Sequence, residues 1–124
     1  MPRSNYREDI VDVISARMEE FIEVKKGKIF GHPGFSINNR FFCFAYEDGL
    51  SLKLSLDDYN SILELEEADK FKPNNSPMGT WAVLTYPEAE EYINNWEWID
   101  KAMAYIVTDE AAPRKKKKNQ IRKN

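Results

Sequence analysis

One thiol, Cys43, one imidazole, His32, and a set of lysine ammonium groups are the side chains through which this chain could do nucleophilic or acid–base chemistry. Cys43 sits in the aromatic run Arg40 to Tyr46 and Lys53 in the run Leu50 to Leu54. A three-residue turn at Glu47-Asp48-Gly49, with glycine in the left-handed position of a bulged hairpin, sets Cys43 directly across from Lys53. A neighbouring ammonium lowers a thiol pKa, and imidazole is the side chain most often used as a general base, so an activated thiol with an imidazole base is the sharpest chemistry on offer. Against it, no motif supplies an oxyanion hole or a third group. Cysteines in aromatic strands are ordinarily inert core residues. His32 is bracketed by Gly31, Pro33 and Gly34, as a turn residue would be. The reading is that the protein is not an enzyme.

Metal and cofactor sites fare no better. One cysteine and one histidine make a zinc site only if several carboxylates converge on them. Glu64, Glu66, Glu67 and Asp69 read as neighbours on one solvated helix, and Trp96, Trp98 and Tyr105 recur at the spacing of core packing. No metal, cofactor or disulfide is implied.

The elements that must position these residues centre on GHPGFSINNRFFCFAYEDGLSLKL, residues 31 to 54. Asn38-Asn39 is a two-residue loop in which both residues tolerate positive φ, and Glu47-Asp48-Gly49 is a second reversal, so the stretch reads as a three-stranded antiparallel meander. With those loop lengths position 37 faces 40, 35 faces 42, 46 faces 50, 44 faces 52 and 42 faces 54. One wall then carries Phe35, Ile37, Phe42, Phe44, Tyr46, Leu50, Leu52 and Leu54. The other holds Gly34, Ser36, Phe41, Cys43, Ala45, Ser51 and Lys53, a small and mixed surface.

Around the meander, Ser4 caps an amphipathic helix with Ile10, Ile14, Met18 and Phe21 or Ile22 on its apolar side. Ser55-Leu56-Asp57-Asp58 opens a short helix presenting Leu56, Tyr59, Ile62 and Leu63. Phe71-Lys72-Pro73 is extended, and Thr80 to Thr85 is a strand with Trp81 and Val83 on one face and Ala82 and Leu84 on the other. Pro87 starts the longest helix, with Tyr92, Trp96, Ile99, Met103 and Ile106 in one stripe.

At 124 residues, 42% hydrophobic, the chain suits one core: a single domain over 1–110, with 111–124 a disordered basic tail. Residues 113 to 124 hold seven of the 18 Lys and Arg and no acid, leaving a body with eleven basic against 21 acidic residues, net −10. No run approaches a bilayer span and MPRSNYRED has no signal-peptide character, so a cytoplasmic protein without membrane attachment is expected.

These residues resemble a known family. The glycine–phenylalanine–turn–aromatic hairpin, the Asp48-Gly49-Leu50-Ser51-Leu52-Lys53-Leu54 strand, Phe71-Lys72-Pro73, Pro77-Met78-Gly79-Thr80-Trp81 and the Trp-containing last helix look like the N-terminal domain of the TfoX competence regulator, a relative of the YjbR-like (MmcQ) proteins. The resemblance runs from about residue 5 to 107. It implies an α+β fold like that of the secretion chaperones, an antiparallel sheet of about four to five strands packed with helices in the order α-β-β-β-α-β(β)-α, and it implies no reaction.

The function expected is thus that of a regulatory or protein-interaction module. Ser36, Phe41, Cys43, Ser51, Lys53 and His32 would meet a partner protein or a second copy in a homodimer, unless the chain's own last strand and loop cover the face. The alternative is nucleic-acid binding through Arg114, Lys115, Lys116, Lys117, Lys118, Arg122 and Lys123, by phosphate neutralisation alone.

Overall fold

The structure, a computed structural model, describes residues 5–108 and residue 111. Along the chain come α1 (Glu8–Met18), β1 (Val24–Ile29), β2 (His32–Ile37), β3 (Arg40–Tyr46), β4 (Gly49–Lys53), α2 (Leu56–Ile62), β5 (Ala68–Lys70), a single 3-10 turn at Pro73–Asn75, β6 (Trp81–Leu84), α3 (Glu90–Asn94) and α4 (Glu97–Ile106). The fold is α+β, with one antiparallel sheet of six strands in the order β1-β2-β3-β4-β6-β5.

With six strands the sheet has one or two more than the four to five expected. Lys25-Lys26-Gly27-Lys28 has no apolar alternation, yet it pairs with β2 along its whole length, from Val24 opposite Ile37 to Ile29 opposite His32. The reversal between them uses Phe30 and Gly31, both at positive φ. At the far edge β5 adds a three-residue strand to β6, so the acids expected on one helix fall in turns and on β5, after α2 has ended at Ile62.

The register inside the meander corrects the sequence reading. Ile37 does face Arg40, and Asn38 and Asn39 do take positive φ. Between Phe35 and Ser36 the ladder slips, because Phe42 is an extra residue on β3: Ser36 faces Phe41 and Phe35 faces Cys43. The β3–β4 loop has two residues, since Tyr46 faces Gly49. Phe44 therefore meets Ser51, and Cys43 meets Leu52, not Lys53. Glu47 takes the left-handed conformation that the sequence assigns to Gly49, and its N–H bonds the Asn5 carbonyl while Tyr6 bridges it.

A one-residue slip exchanges the faces of a strand. Cys43 and Ala45 are buried, with Cys43 in the large core beside Phe35, Ile37, Phe42, Leu50, Leu52 and Leu54. Phe44 and Tyr46 stand on the opposite face, in a second cluster with Phe71 and Trp81. The bulge is what lets Phe42 and Cys43, adjacent in sequence, both join the large core.

All the helical packing is on that first face. Ile10, Ile14 and Met18 of α1, Tyr59 and Ile62 of α2, Tyr92 of α3, and Ile99, Met103 and Ile106 of α4 enter one core, with α4 lying on β3 and β4 and α2 on β6. Burial of each large side chain stabilises by roughly 1.5–3 kcal/mol. Three helix readings change. α1 ends at Met18, so Ile22 is 93% exposed rather than part of its stripe. Leu56 is exposed at the first position of α2. The last helix is two, broken at Asn95–Trp96, and begins at Glu90 rather than at Pro87, although its apolar stripe is buried throughout. The Ser4 cap and the basic tail lie outside the described residues.

Candidate functional site

With the helices on one side, the other face of the sheet is built from strand residues alone and from the segment linking β5 to β6. Phe44 is its hub. Five rings lie around it: Trp81 at 5.1 Å between centroids, Phe71 at 5.4 Å, Phe30 at 6.0 Å, and His32 and Tyr46 at 6.3 Å. Most of these meet edge to face, the arrangement the ring quadrupole favours. Phe71 is brought in by the loop after β5: its N–H bonds Trp81 O, and its own carbonyl accepts from Met78 N–H. Its ring also lies 5.0 Å from Tyr46, across the middle of the sheet.

Burial grades outward from this hub. Phe44, Phe71, Trp81 and Ser51 are buried, Phe41, Tyr46, His32 and Lys53 are half-buried, and Phe30 is 63% exposed. Phe30 also holds φ at +57°, a conformation that bulky residues seldom adopt, and this delivers its ring onto the helix-free side against Phe44. Phe41 lies over the cross-strand pair Gly27–Gly34: a Cβ on Gly27 would come within 3.3 Å of the Phe41 ring.

The residues singled out from the sequence divide as follows. Ser36, Phe41, Ser51 and Lys53 lie on the helix-free face, as expected; His32, read from sequence as a turn residue, instead opens β2 and joins them there, because the reversal falls one step earlier at Phe30 and Gly31. Ser51 is covered within the chain, and its Oγ has no hydrogen-bond partner. Cys43 does not belong to this face. It is fully buried under the helices, and that burial pushes its thiol pKa far up, the reverse of activation by Lys53. His32 stands at the other end of the sheet from Lys53, its Nδ1 2.9 Å from Phe30 O and its ring 5.2 Å from Tyr46. The thiol, imidazole and ammonium are thus not assembled into one site.

Lys53 has its ammonium 5.9 Å from the centre of the Trp81 ring, beneath Gly79. Partial burial lowers its pKa. Near the β3–β4 turn a cavity of about 400 Å³ opens between Tyr46, Asp48, Asp69, Phe71, Lys72 and Thr85. Among the described residues no group of three or more His, Cys, Asp and Glu could hold a metal ion, and no helix is long and apolar enough to cross a membrane.

Charge separates the two sides of the molecule. The four helices carry nine carboxylates against two cations, Arg17 and Lys101. On the helix-free face the strands carry Lys25 and Lys53 with Asp69 near the edge, and Asp48 and Lys72 border the cavity beside Tyr46 and Phe71. A surface of half-exposed rings held rigid from below, with few charges, makes close apolar contact at little entropic cost.

The signal for Phe44, Tyr46 and Phe30 was present only as aromatic content, because β3 is apolar on both of its faces. Phe71 and Trp81 were legible as extended segments but not as partners of Phe44. No family model, no curated protein and no solved structure matches the chain.

Proposed function

We propose that this protein is a non-enzymatic regulatory module that binds another protein through the helix-free face of its sheet. The observation that supports the reading is the aromatic surface centred on Phe44, with Phe30, His32, Phe41 and Tyr46 reaching solvent above a buried base. Kinship with the TfoX N-terminal domain is part of the same proposal. It is carried by the segments at 31–54, 71–73 and 77–81 together with the α+β order of elements.

Site-specific photocrosslinking in the source cell tests it, with a benzophenone side chain at position 41 on the helix-free face or at position 101 on the helical layer. A discrete adduct from 41, absent from 101 and abolished by Phe30→Ser, is the expected result. Adducts from 101 alone, or from neither position, overturn the proposal. Light scattering across micromolar concentrations separates the two kinds of partner: a dimer dispersed by Phe41→Glu identifies a second copy, and a monomer assigns the adduct to a different protein.

The distribution of charge supports one other reading, in which the basic tail binds nucleic acid while the acidic helices face away from phosphate. Truncation after Asp109 then abolishes the low-salt shift of a labelled duplex. No shift from the full chain removes this reading.

A further inference from the structure

The face described above leaves the strand at the rim of the sheet without a task. β1 is the first strand in the sheet order and pairs on one side only, with β2. In a two-residue hairpin the pair next to the turn exchanges both of its hydrogen bonds, and alternate pairs follow. Here those pairs are Ile29–His32, Gly27–Gly34 and Lys25–Ser36. Val24, Lys26 and Lys28 therefore direct their N–H and C=O groups away from β2. Val24 N–H is satisfied by Phe21 O at 3.0 Å, which leaves Lys26 and Lys28 as an open ladder.

This open ladder is flanked by the exposed side chains of Lys25, Lys26 and Lys28. The ion pairs among the described residues are Arg7–Asp9 and Arg17–Glu20, so none of the three lysines has a carboxylate within 4.0 Å there. On the helix side of the same strand, two cavities lie between β1 and α1 and share Lys26. One, of about 370 Å³, is walled by Tyr6, Val11 and Pro33, with Glu8 and Asp12 on its α1 side. The other, of about 310 Å³, is walled by Met18, Val24 and Phe35, with Glu19 and Ser15. Ser15 Oγ is buried and has no hydrogen-bond partner.

We propose that β1 is a second binding surface, at which an acidic, extended segment of another protein adds to the sheet as a seventh strand. Its main chain completes the ladder at Lys26 and Lys28, its carboxylates alternate onto the helix-free side and meet Lys25, and its apolar side chains on the helix side lie along the stems of Lys26 and Lys28 and enter the two cavities. Charge selects this occupant. A second copy of β1 would set lysines against lysines, which is how edge strands are kept from pairing with themselves, whereas the same lysines attract an acidic strand.

The test is fluorescence anisotropy of the full chain with a labelled ten-residue peptide of alternating Glu and Val, against an alternating Lys–Val peptide. Saturable binding of the Glu–Val peptide, at least tenfold tighter than the Lys–Val peptide and weakened by salt, is expected. Lys26→Pro removes an N–H that the β1–β2 ladder does not use, so the fold is retained while binding falls at least tenfold. Circular dichroism checks the fold, and if that variant is not folded, the Lys26→Glu/Lys28→Glu variant takes its place with the same expected loss. Leu56→Ser, exposed on α2 at the β6 side of the sheet, leaves peptide binding unchanged. Equal affinity for the two peptides, no saturable binding of the Glu–Val peptide, or full binding by a folded Lys26→Pro variant would each overturn the proposal.

Discussion

The Tyr92 hydroxyl ties α3 to the end of β6: it donates to Leu84 O at 2.8 Å and accepts from Tyr86 N–H at 2.9 Å, within a fully buried site. The turn between the strand and the helix is thereby pinned from the helix side, while Arg7 binds the Tyr86 and Pro87 carbonyls from the other.

Tyr92→Phe keeps the ring, which packs 5.0 Å from Tyr86, and removes only the oxygen. Tyr86 N–H loses its buried acceptor and Leu84 O its second donor, so the variant is expected to lose about 1–3 kcal/mol. Urea denaturation followed by tryptophan fluorescence checks this; a midpoint equal to that of the wild type would show that water replaces the hydroxyl.

The ladder geometry around Phe41 ranks two glycine substitutions. A Cβ at Gly34 would lie 2.7 Å from Cys43 O and 2.8 Å from Phe44 Cβ, whereas one at Gly27 meets only the far end of the Phe41 ring at 3.3 Å. Gly34→Ala must displace backbone and is expected to cost about 1–3 kcal/mol. Gly27→Ala requires a small ring movement and costs less than about 1 kcal/mol. Thermal melts of the two variants should fall in that order.

Lys53 provides a pH signature. Its pKa in the folded protein is lowered by burial, so between that value and the unfolded one near 10.5 the unfolded chain binds more protons than the native one, and stability rises with pH across that window. Lys53→Met keeps the stem over Trp81 and has no such titration. The wild type is therefore expected to gain stability relative to Lys53→Met as the pH rises toward 10.5, read as the difference in denaturation midpoints at pH 7, 9 and 10.5. A constant difference would mean that the ammonium is fully hydrated.

Cys43 is expected to react only when the core opens. Its thiol is fully buried under the helices and held protonated by that burial. Iodoacetamide labelling at pH 8 should be far slower than that of a free thiol and should accelerate with urea in step with global unfolding. Labelling of native protein at the free-thiol rate would contradict the placement of Cys43 on the helix side.

Turn chemistry and alternation made much of the fold legible. Asn38-Asn39 reverses the chain where two residues tolerant of positive φ stand together, and Leu50, Leu52 and Leu54 alternate with Ser51 and Lys53 so strongly that their inner and outer faces are unambiguous. The same holds for Ala82 and Leu84 against Trp81 and Val83. Hence Ser36, Phe41, Ser51 and Lys53 were found together on one face from sequence, and the α+β class followed.

What the local pattern left open was the parity of β3. Phe41 to Tyr46 is apolar at every position, so a shift by one residue exchanges one set of apolar side chains for another at little local cost, and alternation cannot choose between them. Contacts distant in sequence made the choice. Asn5 and Tyr6 hold Glu47 in the left-handed turn position. Gly49 is glycine because a Cβ would stand 2.7 Å from Leu84 O on β6, not because it turns the chain. Phe71, 27 residues beyond Phe44, supplies the ring that makes the helix-free face a place where Phe44 can be buried. Nearest-neighbour chemistry thus determined where the chain reverses and which strands have a polar side; the fate of a strand apolar on both sides was decided by the elements that close over each face.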